Sequence, residues 1–253
     1  MKALVGIKRV IDHTVKIRIK NDFTGVEKNA VKFSINPFCE IAIEEAVRLK
    51  EKGIITHISA LTIGDKNSSE TLKHALALGA DDGYHIQVDQ QTDIGFSSLT
   101  VSKVLQYMVN KENFDMVLLG KQSIDSDFNH TAQMLSGMLN WPLITFASEI
   151  KKEGNKFNFL REIDTGMQRL TVEAPFVMSC DLRLNTPRYS SLKAITAAKK
   201  KKVTNMKLEE LGLKNDVLVK IEKIESPPAK AAGVKVADVD ELINKLRNEA
   251  KLI

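Results

Sequence analysis

Residues 115–139 read DMVLLGKQSIDSDFNHTAQMLSGML: an unbroken apolar run, a glycine, a polar loop and an amphipathic tail in succession. Met116, Val117, Leu118 and Leu119 show no alternation, the pattern of a strand covered on both faces of a parallel sheet. Gly120 stands where that strand must turn sharply. Met134, Leu135, Met138 and Leu139 return at helical spacing, so a helix is expected from near Asn129, with Asp127 or Asn129 capping its first amides. Amides at a helix start, with the Thr131 hydroxyl beside them, suit a phosphate. The spacing is neither GxxxxGK[ST] nor GxGxxG, so a nucleotide here would bind in another way. An ordinary βα connection carries the same polar loop, and this segment alone does not choose between the two readings.

Outward from this segment, apolar runs at 3–7, 58–63, 84–88 and 116–119 alternate with stretches of helical period, which predicts parallel βαβ units. The first helix is expected over 40–51, with Ala42, Ile43, Ala46, Val47 and Leu49 inward and Asn36-Pro37 breaking the chain before it. The second, over 69–78, is opened by an Asn67/Glu70 capping-box spacing and closed by Gly79. A third carries Val101, Val104, Leu105 and Met108 on one face. After Trp141-Pro142 come strand-like pieces at 144–150, 157–163, 168–173 and 176–180, separated by turn signals and expected to pair antiparallel. Beyond about 185 the chain reads as an extended arm, closing with an amphipathic helix over 239–251 that an Asp238/Glu241 spacing opens.

Composition narrows the function. With 43% apolar and 27% charged residues the chain is a folded globular protein, and its apolar runs fall far short of the ~20 residues that span a bilayer. The ALVGI start is strand-like and lacks a signal-peptide core, so the chain is expected to be neither membrane-spanning nor secreted. Cys39 and Cys180 form no CxxC pair, which argues against structural zinc and a disulfide framework and favours a reducing compartment. Part of the +5 net charge sits in one lysine run at 199–202 without interleaved aromatics, so nucleic acid is not the expected partner. Such a run is a solvated helix end or steers an acidic protein partner. His57, His74 and His85 are read as structural, and no Ser/His/Asp or paired-acid arrangement stands out, so no catalytic residue is assigned.

The ordered motifs VGIKRVID from Val5, NPFCEIAIEEAVRLKEK from Asn36, HALALGAD from His74, LLGKQSIDSDFNHT from Leu118, REIDTG from Arg161, DLRLNTPRY from Asp181, AKKKK from Ala198 and PPAKAAGVKV from Pro227 resemble one family. It is the β subunit of the electron transfer flavoprotein, in the group whose β subunit holds AMP, and the resemblance covers essentially the whole chain. It implies an α/β fold with a parallel-core, adenine nucleotide alpha hydrolase-like sheet flanked by helices. An AMP-binding domain over 1–185 would be followed by a recognition loop and an arm, 186–253, packing on an α subunit that carries most of the FAD contacts. Carried over, Gly6, Asn36, Pro37, Phe38, Cys39 and Ile63 would line the adenosine. Gly120, Lys121, Gln122, Ser123, Ile124 and Asp125 would wrap the ribose and phosphate together with Ser126, Asp127 and Phe128, and Asn129, His130 and Thr131 would lie nearest the phosphate.

The resemblance also implies partners. Leu192 matches the hydrophobic anchor of the loop that docks acyl-CoA dehydrogenases, and Arg161 and Glu162 match charges that steady a mobile flavin domain. Electrons would pass through FAD to a membrane quinone oxidoreductase, with this chain acting as a carrier subunit rather than an enzyme. Lys200 matches a lysine methylated in some mitochondrial members, whereas the second such position is Ala197. His130 replaces a glutamine found in many animal members, and an imidazole still donates a hydrogen bond. His13 replaces a tyrosine that approaches the flavin in several relatives. The expected compartment is the mitochondrial matrix, with the bacterial cytoplasm as the alternative. Two rivals stand beside this reading. One is a bifurcating β subunit that binds a second FAD and oxidises NADH, against which Ser126, Asp127 and Phe128 argue. The other is a free-standing adenine-nucleotide binder, which would leave the recognition-loop match without an explanation.

Overall fold

A computed structural model describes residues 1–88, 97–215, 219, 221–230 and 232–253. In chain order the first half gives β1 (Lys2–Ile7), β2 (Arg9–Ile11), β3 (Phe33–Ile35), α1 (Pro37–Glu51), β4 (His57–Gly64), α2 (Ser68–Leu78), β5 (Asp82–Gln87), α3 (Ser98–Glu112) and β6 (Met116–Gly120). The second half gives α4 (Thr131–Leu139), β7 (Leu143–Glu153), β8 (Lys156–Ile163), β9 (Gly166–Glu173), β10 (Phe176–Cys180), α5 (Leu192–Ala198), β11 (Val203–Lys207) and α6 (Val239–Asn248). Nine strands form one sheet in the order β11-β5-β4-β1-β6-β10-β7-β8-β9, and β2 pairs with β3 in a small antiparallel ribbon.

The four apolar runs are β1, β4, β5 and β6, all parallel as the alternation with helices predicts. Successive residues of β1 point to opposite faces: Ala3, Val5 and Ile7 join the core under α1 and α2, and Leu4 joins the core under α3 and α4. The chain leaves β1 for β4 and β5 on one side, then crosses back to β6 on the other. That reversal opens a crevice beyond the carboxyl ends of β1 and β6, where ligands of open α/β sheets bind.

Several expectations are corrected. β10 is a core strand that pairs parallel with both β6 and β7, while of these four strands β7, β8 and β9 pair antiparallel as expected. Every residue of FVMSC is buried, Phe176, Val177 and Met178 forming a short apolar run like that of β6, and the neighbouring hairpin signals mask it. Phe157 and Phe159 of β8 set their rings edge-on to Phe176 of β10 at 5.1 and 5.4 Å, contacts worth about 0.5–1.5 kcal/mol each that tie the hairpin to the core. Helix α1 begins at Pro37, three residues earlier than expected, because proline at the first helical position loses no hydrogen bond.

The Asn67/Glu70 capping box does not form. Asp65 instead accepts from the Ser68 amide and hydroxyl at 3.1 and 3.0 Å and draws the Asn67 side chain to its other oxygen at 3.1 Å. The same spacing does form at α6, where Asp238 accepts from the Glu241 amide and Glu241 from the Ala237 amide, both at 2.8 Å. Helix α6 ends at Asn248 and buries none of its residues, leaving Val239, Leu242 and Ile243 exposed. Within the stretch expected as loop and arm, β11 returns to the sheet edge against β5, and Leu208 and Leu211 just after it are buried in the core under α3. Among the described residues no helix is long and apolar enough to cross a membrane, and no cluster of His, Cys, Asp and Glu could hold a metal ion.

Candidate functional site

The crevice is a cavity of about 510 Å³, within the size range of small-ligand sites. Gly6 and Ile63 line it from the ends of β1 and β4, Asn36 and Cys39 from the start of α1, and Leu119 and Gly120 from the end of β6. Lys121, Gln122, Ser123, Asp125, Ser126, Phe128, Asn129, His130 and Thr131 continue the lining around the loop into α4. The structure thus brings most of the expected residues to one cavity. Pro37, Phe38, Ile124 and Asp127 are not among the residues that line it. Pro37 starts α1, and Phe38 packs under Gly120 so closely that a Cβ there would lie 2.7 Å from the Phe38 Cβ. The amide of Ile124 and the carboxylate of Asp127 take part in hydrogen bonds that hold the loop.

That loop is fixed by hydrogen bonds to the helix that precedes it in space. Asn36, almost fully buried, donates from Nδ2 to the Gln122 carbonyl at 2.9 Å and accepts the Ile124 amide on Oδ1 at 3.1 Å. Asparagine is a strong helix-capping residue, yet this side chain makes no cap on α1 because it is committed to the loop. Gln122 reaches Asp127 at 2.8 Å, and Asp127 and Asn129 hold φ of 52° and 51°, a conformation that Asp and Asn tolerate better than most side chains. Just after β1, Lys8 donates to Ser123 Oγ at 3.1 Å and pairs with Asp125 at 2.8 Å. Burial would raise the Asp125 pKa, but the Lys8 ammonium and the Ser123 hydroxyl outweigh it and leave the carboxylate below its usual range. Burial pushes the Cys39 thiol up, so it stays protonated beside the Asn36 amide at 3.3 Å.

The expected cap of α4 is absent. Residue His130 occupies the capping position without a side-chain bond, Asp127 is turned to Gln122, and Asn129 accepts from Gln133 at 3.1 Å. The first amides of α4 therefore meet no capping side chain from their own chain at the cavity, the arrangement that accepts an anion with the favourable end of the helix dipole. The His130 ring lies parallel to that of Phe128, with centroids 5.9 Å apart. Sequence reasoning missed Lys8, Arg9, Asp65, Val101 and Leu105 in the lining. Lys8 and Arg9 directly follow an apolar strand run, and their place at a carboxyl strand end was the available signal. Ile221 and Ile224 also line the cavity, and the Ile224 amide bonds the Phe23 carbonyl at 2.9 Å.

The remaining named residues lie away from the cavity lining, most of them exposed or half-buried and His85 buried. Leu192 opens α5 and is 84% exposed, and a shallow hollow on that helix is lined by Leu192, Lys193, Thr196, Ala197 and Lys200. Arg161 donates to Gln168 and Thr145, and the exposed Glu162 pairs with Arg183. His57 lies 3.2 Å from Asp82, His74 3.0 Å from Glu40, and His85 3.0 Å from the Asp65 carbonyl, none in a metal-binding cluster.

Residues 24–211 match the family profile described as the electron transfer flavoprotein domain. Over its whole length the chain is 47% identical to the pig protein named electron transfer flavoprotein subunit beta, covering 99% of it. It is 44% identical to the rice protein named electron transfer flavoprotein subunit beta, mitochondrial, covering all of each chain. It is 45% identical to the subunit beta of Dictyostelium discoideum, covering 98% of that chain. A parallel sheet with its cavity at the strand-order reversal, a profile match over most of the chain and full-length identity of this degree lead to one conclusion: this chain belongs to the electron transfer flavoprotein family, among its β subunits.

Proposed function

We propose that this chain is the AMP-holding β subunit of a heterodimeric electron carrier whose α subunit provides most of the FAD contacts. The observation that carries the nucleotide reading is the cavity at the ends of β1 and β6, with the α4 amides turned to it without a side-chain cap and its loop held by Asn36. The basic Lys8, Arg9, Lys28 and Lys121 outnumber Asp65 and Asp125 in the lining, which supports an anionic ligand. Gly6, Cys39 and Ile63 would face the adenosine, and Asn129, His130 and Thr131 the phosphate. The chain's own share is binding, positioning and recognition rather than chemistry.

On this reading 1–185 form the nucleotide-binding body and 186–253 the docking loop and an arm that packs on the α subunit. The unburied apolar stripe of α6 supports an arm that finishes its packing on another chain. The exposed Leu192 with Lys200 nearby suits a pocket on an acyl-CoA dehydrogenase with acidic surroundings. Electrons would reach a membrane quinone oxidoreductase through FAD, with Arg161 and Glu162 steadying the flavin domain. The mitochondrial matrix is the proposed compartment, in keeping with the name of the rice relative.

The test is to co-express the chain with an α subunit, denature the purified complex, and identify the released nucleotides by chromatography with mass detection. One AMP and one FAD per dimer support the proposal. Two FAD without AMP would assign a bifurcating carrier, and failure to bind any α subunit would overturn both.

A further inference from the structure

The exposed helix α5 is mounted on the body by two feet that the sequence did not single out. Ahead of it, Arg188 forks onto two carboxylates of α1. Its Nε and Nη2 reach Glu44 at 2.7 and 3.1 Å, and its Nη1 and Nη2 reach Glu51 at 2.6 and 3.0 Å. Asn185 adds bonds to the Ile41 carbonyl at 3.1 Å and to Glu45 at 2.9 Å, and Arg48 holds the Thr186 carbonyl at 3.1 Å. Behind the helix, Ala198 is buried and Lys201 donates to the Leu76 and Ala80 carbonyls at the end of α2, at 2.9 and 2.6 Å. A cation on the last carbonyls of a helix satisfies groups that otherwise lack partners and complements the dipole. Between the feet α5 packs against α2 and leaves its outer side open, with Tyr189 wholly exposed and Leu192 nearly so.

The lysine run is therefore not one surface. Lys199 and Lys200 face solvent, and Lys201 turns inward as a structural donor.

We infer that Arg188 and Lys201 are positioning residues for protein docking, fixing where Leu192 stands relative to the body. This rests on the docking role proposed for Leu192. A helix of this length has little stability of its own, so the orientation of its anchor comes from its packing on α2 and from the mounts at its two ends. Arginine suits the first foot because its planar fork makes four bonds to two carboxylates at once, a fixed geometry that the three donors of a lysine ammonium do not reproduce.

The intact αβ complex would be assayed with a purified acyl-CoA dehydrogenase, following KM for that protein, kcat, nucleotide and FAD content, and FAD reduction by dithionite. Arg188→Ala and Lys201→Met are expected to raise the KM for the dehydrogenase by about tenfold, with the content and the dithionite rate unchanged. Arg188→Lys should fall between wild type and Arg188→Ala. Because the feet act through Leu192, adding Arg188→Ala to Leu192→Ala should change KM no further. Effects that multiply would overturn the inference, as would a normal KM in Arg188→Ala beside a raised one in Leu192→Ala. A normal KM in Leu192→Ala would remove the docking reading and this inference with it. Should Arg188→Ala fail to assemble, the Arg188→Lys and Lys201→Met comparisons still decide.

Discussion

Glu44 and Glu45 stand side by side on α1, at 3% and 4% exposure, and are displaced from the usual carboxylate pKa in opposite directions. Burial pushes both upward. On Glu44 the donors of Arg188 and Arg48 outweigh it, so the carboxyl sits below its ordinary 4.5. On Glu45 the direct donor is the neutral Asn185 amide, and burial wins. Stability from Glu44 is fully present above its unfolded value and is lost as pH falls through the lowered folded value; Glu45 is favourable only when protonated and disfavours the fold as pH rises through its raised value. At neutral pH, Glu44→Gln should cost about 2 kcal/mol, the worth of hydrogen bonds to a charge, and Glu45→Gln should be neutral or stabilising. Urea titrations at pH 7 and pH 4 check this, and the Glu45→Gln advantage should shrink in acid.

The two glycines at the cavity should respond unequally to one methyl group. A Cβ on Gly6 meets the Leu119 Cδ2 at 2.5 Å, the end of a side chain that can rotate away. A Cβ on Gly120 meets the Phe38 Cβ at 2.7 Å, its backbone carbon at 2.8 Å and the Cys39 nitrogen at 3.1 Å, none of which moves without shifting α1. Gly120→Ala is expected to lose about 1–3 kcal/mol and most of the bound nucleotide, and Gly6→Ala to lose less of both. Thermal melts with nucleotide analysis of the purified complexes would show the order, and an equal response would mean that the contact with α1 is slack.

Asp181 joins the nucleotide loop to the end of β10. It accepts from Lys121 at 3.0 Å and from Arg183 at 2.8 Å, and Arg183 goes on to Glu162. Burial opposes its ionisation, but these donors leave its pKa below the usual 3.8. Its stabilisation is therefore complete above that value and fades as pH falls through the lowered folded value. Asp181→Asn should cost about 2 kcal/mol at pH 7 and match wild type in strong acid, as read by chemical unfolding across that range. A gap that persists in acid would assign the loss to packing instead of charge.

What the sequence carried and what it hid follow from the range of the forces involved. Apolar periodicity is local, so β1, β4, β5, β6 and the inward face of α1 could be read directly. Whether β10 pairs parallel or antiparallel depends on strands distant in sequence, and the short apolar run in FVMSC marks burial on both faces without naming its neighbours. Capping signals were legible as spacings but not as outcomes: Asp238/Glu241 closed, whereas Asn67/Glu70 lost to Asp65. The site residues came chiefly from the ordered motifs. The feet under α5 join residues more than a hundred positions apart and leave no periodic trace.

The bond pair from Asn36 to the 120–129 loop makes the sharpest test of how the cavity is shaped. Asn36→Ala leaves the Gln122 carbonyl and the Ile124 amide without their partner, and each such group costs about 1–3 kcal/mol where water cannot reach it. Asn36→Asp keeps an acceptor for the Ile124 amide but turns a carboxylate oxygen toward the Gln122 carbonyl, and adds negative charge to the wall of an anion site. If the loop owes its form to this side chain, both variants should lose nucleotide from the purified complex, with Asn36→Asp recovering part of it as pH falls and the new carboxyl gains a proton that can be donated to Gln122. The recovery is specific to the hydrogen bond, because Asn36→Ala has no group to protonate. Nucleotide content measured after equilibration between pH 5 and 8 separates the cases, and full occupancy in Asn36→Ala would mean that the loop is held by Lys8, Ser123 and Asp125 without it.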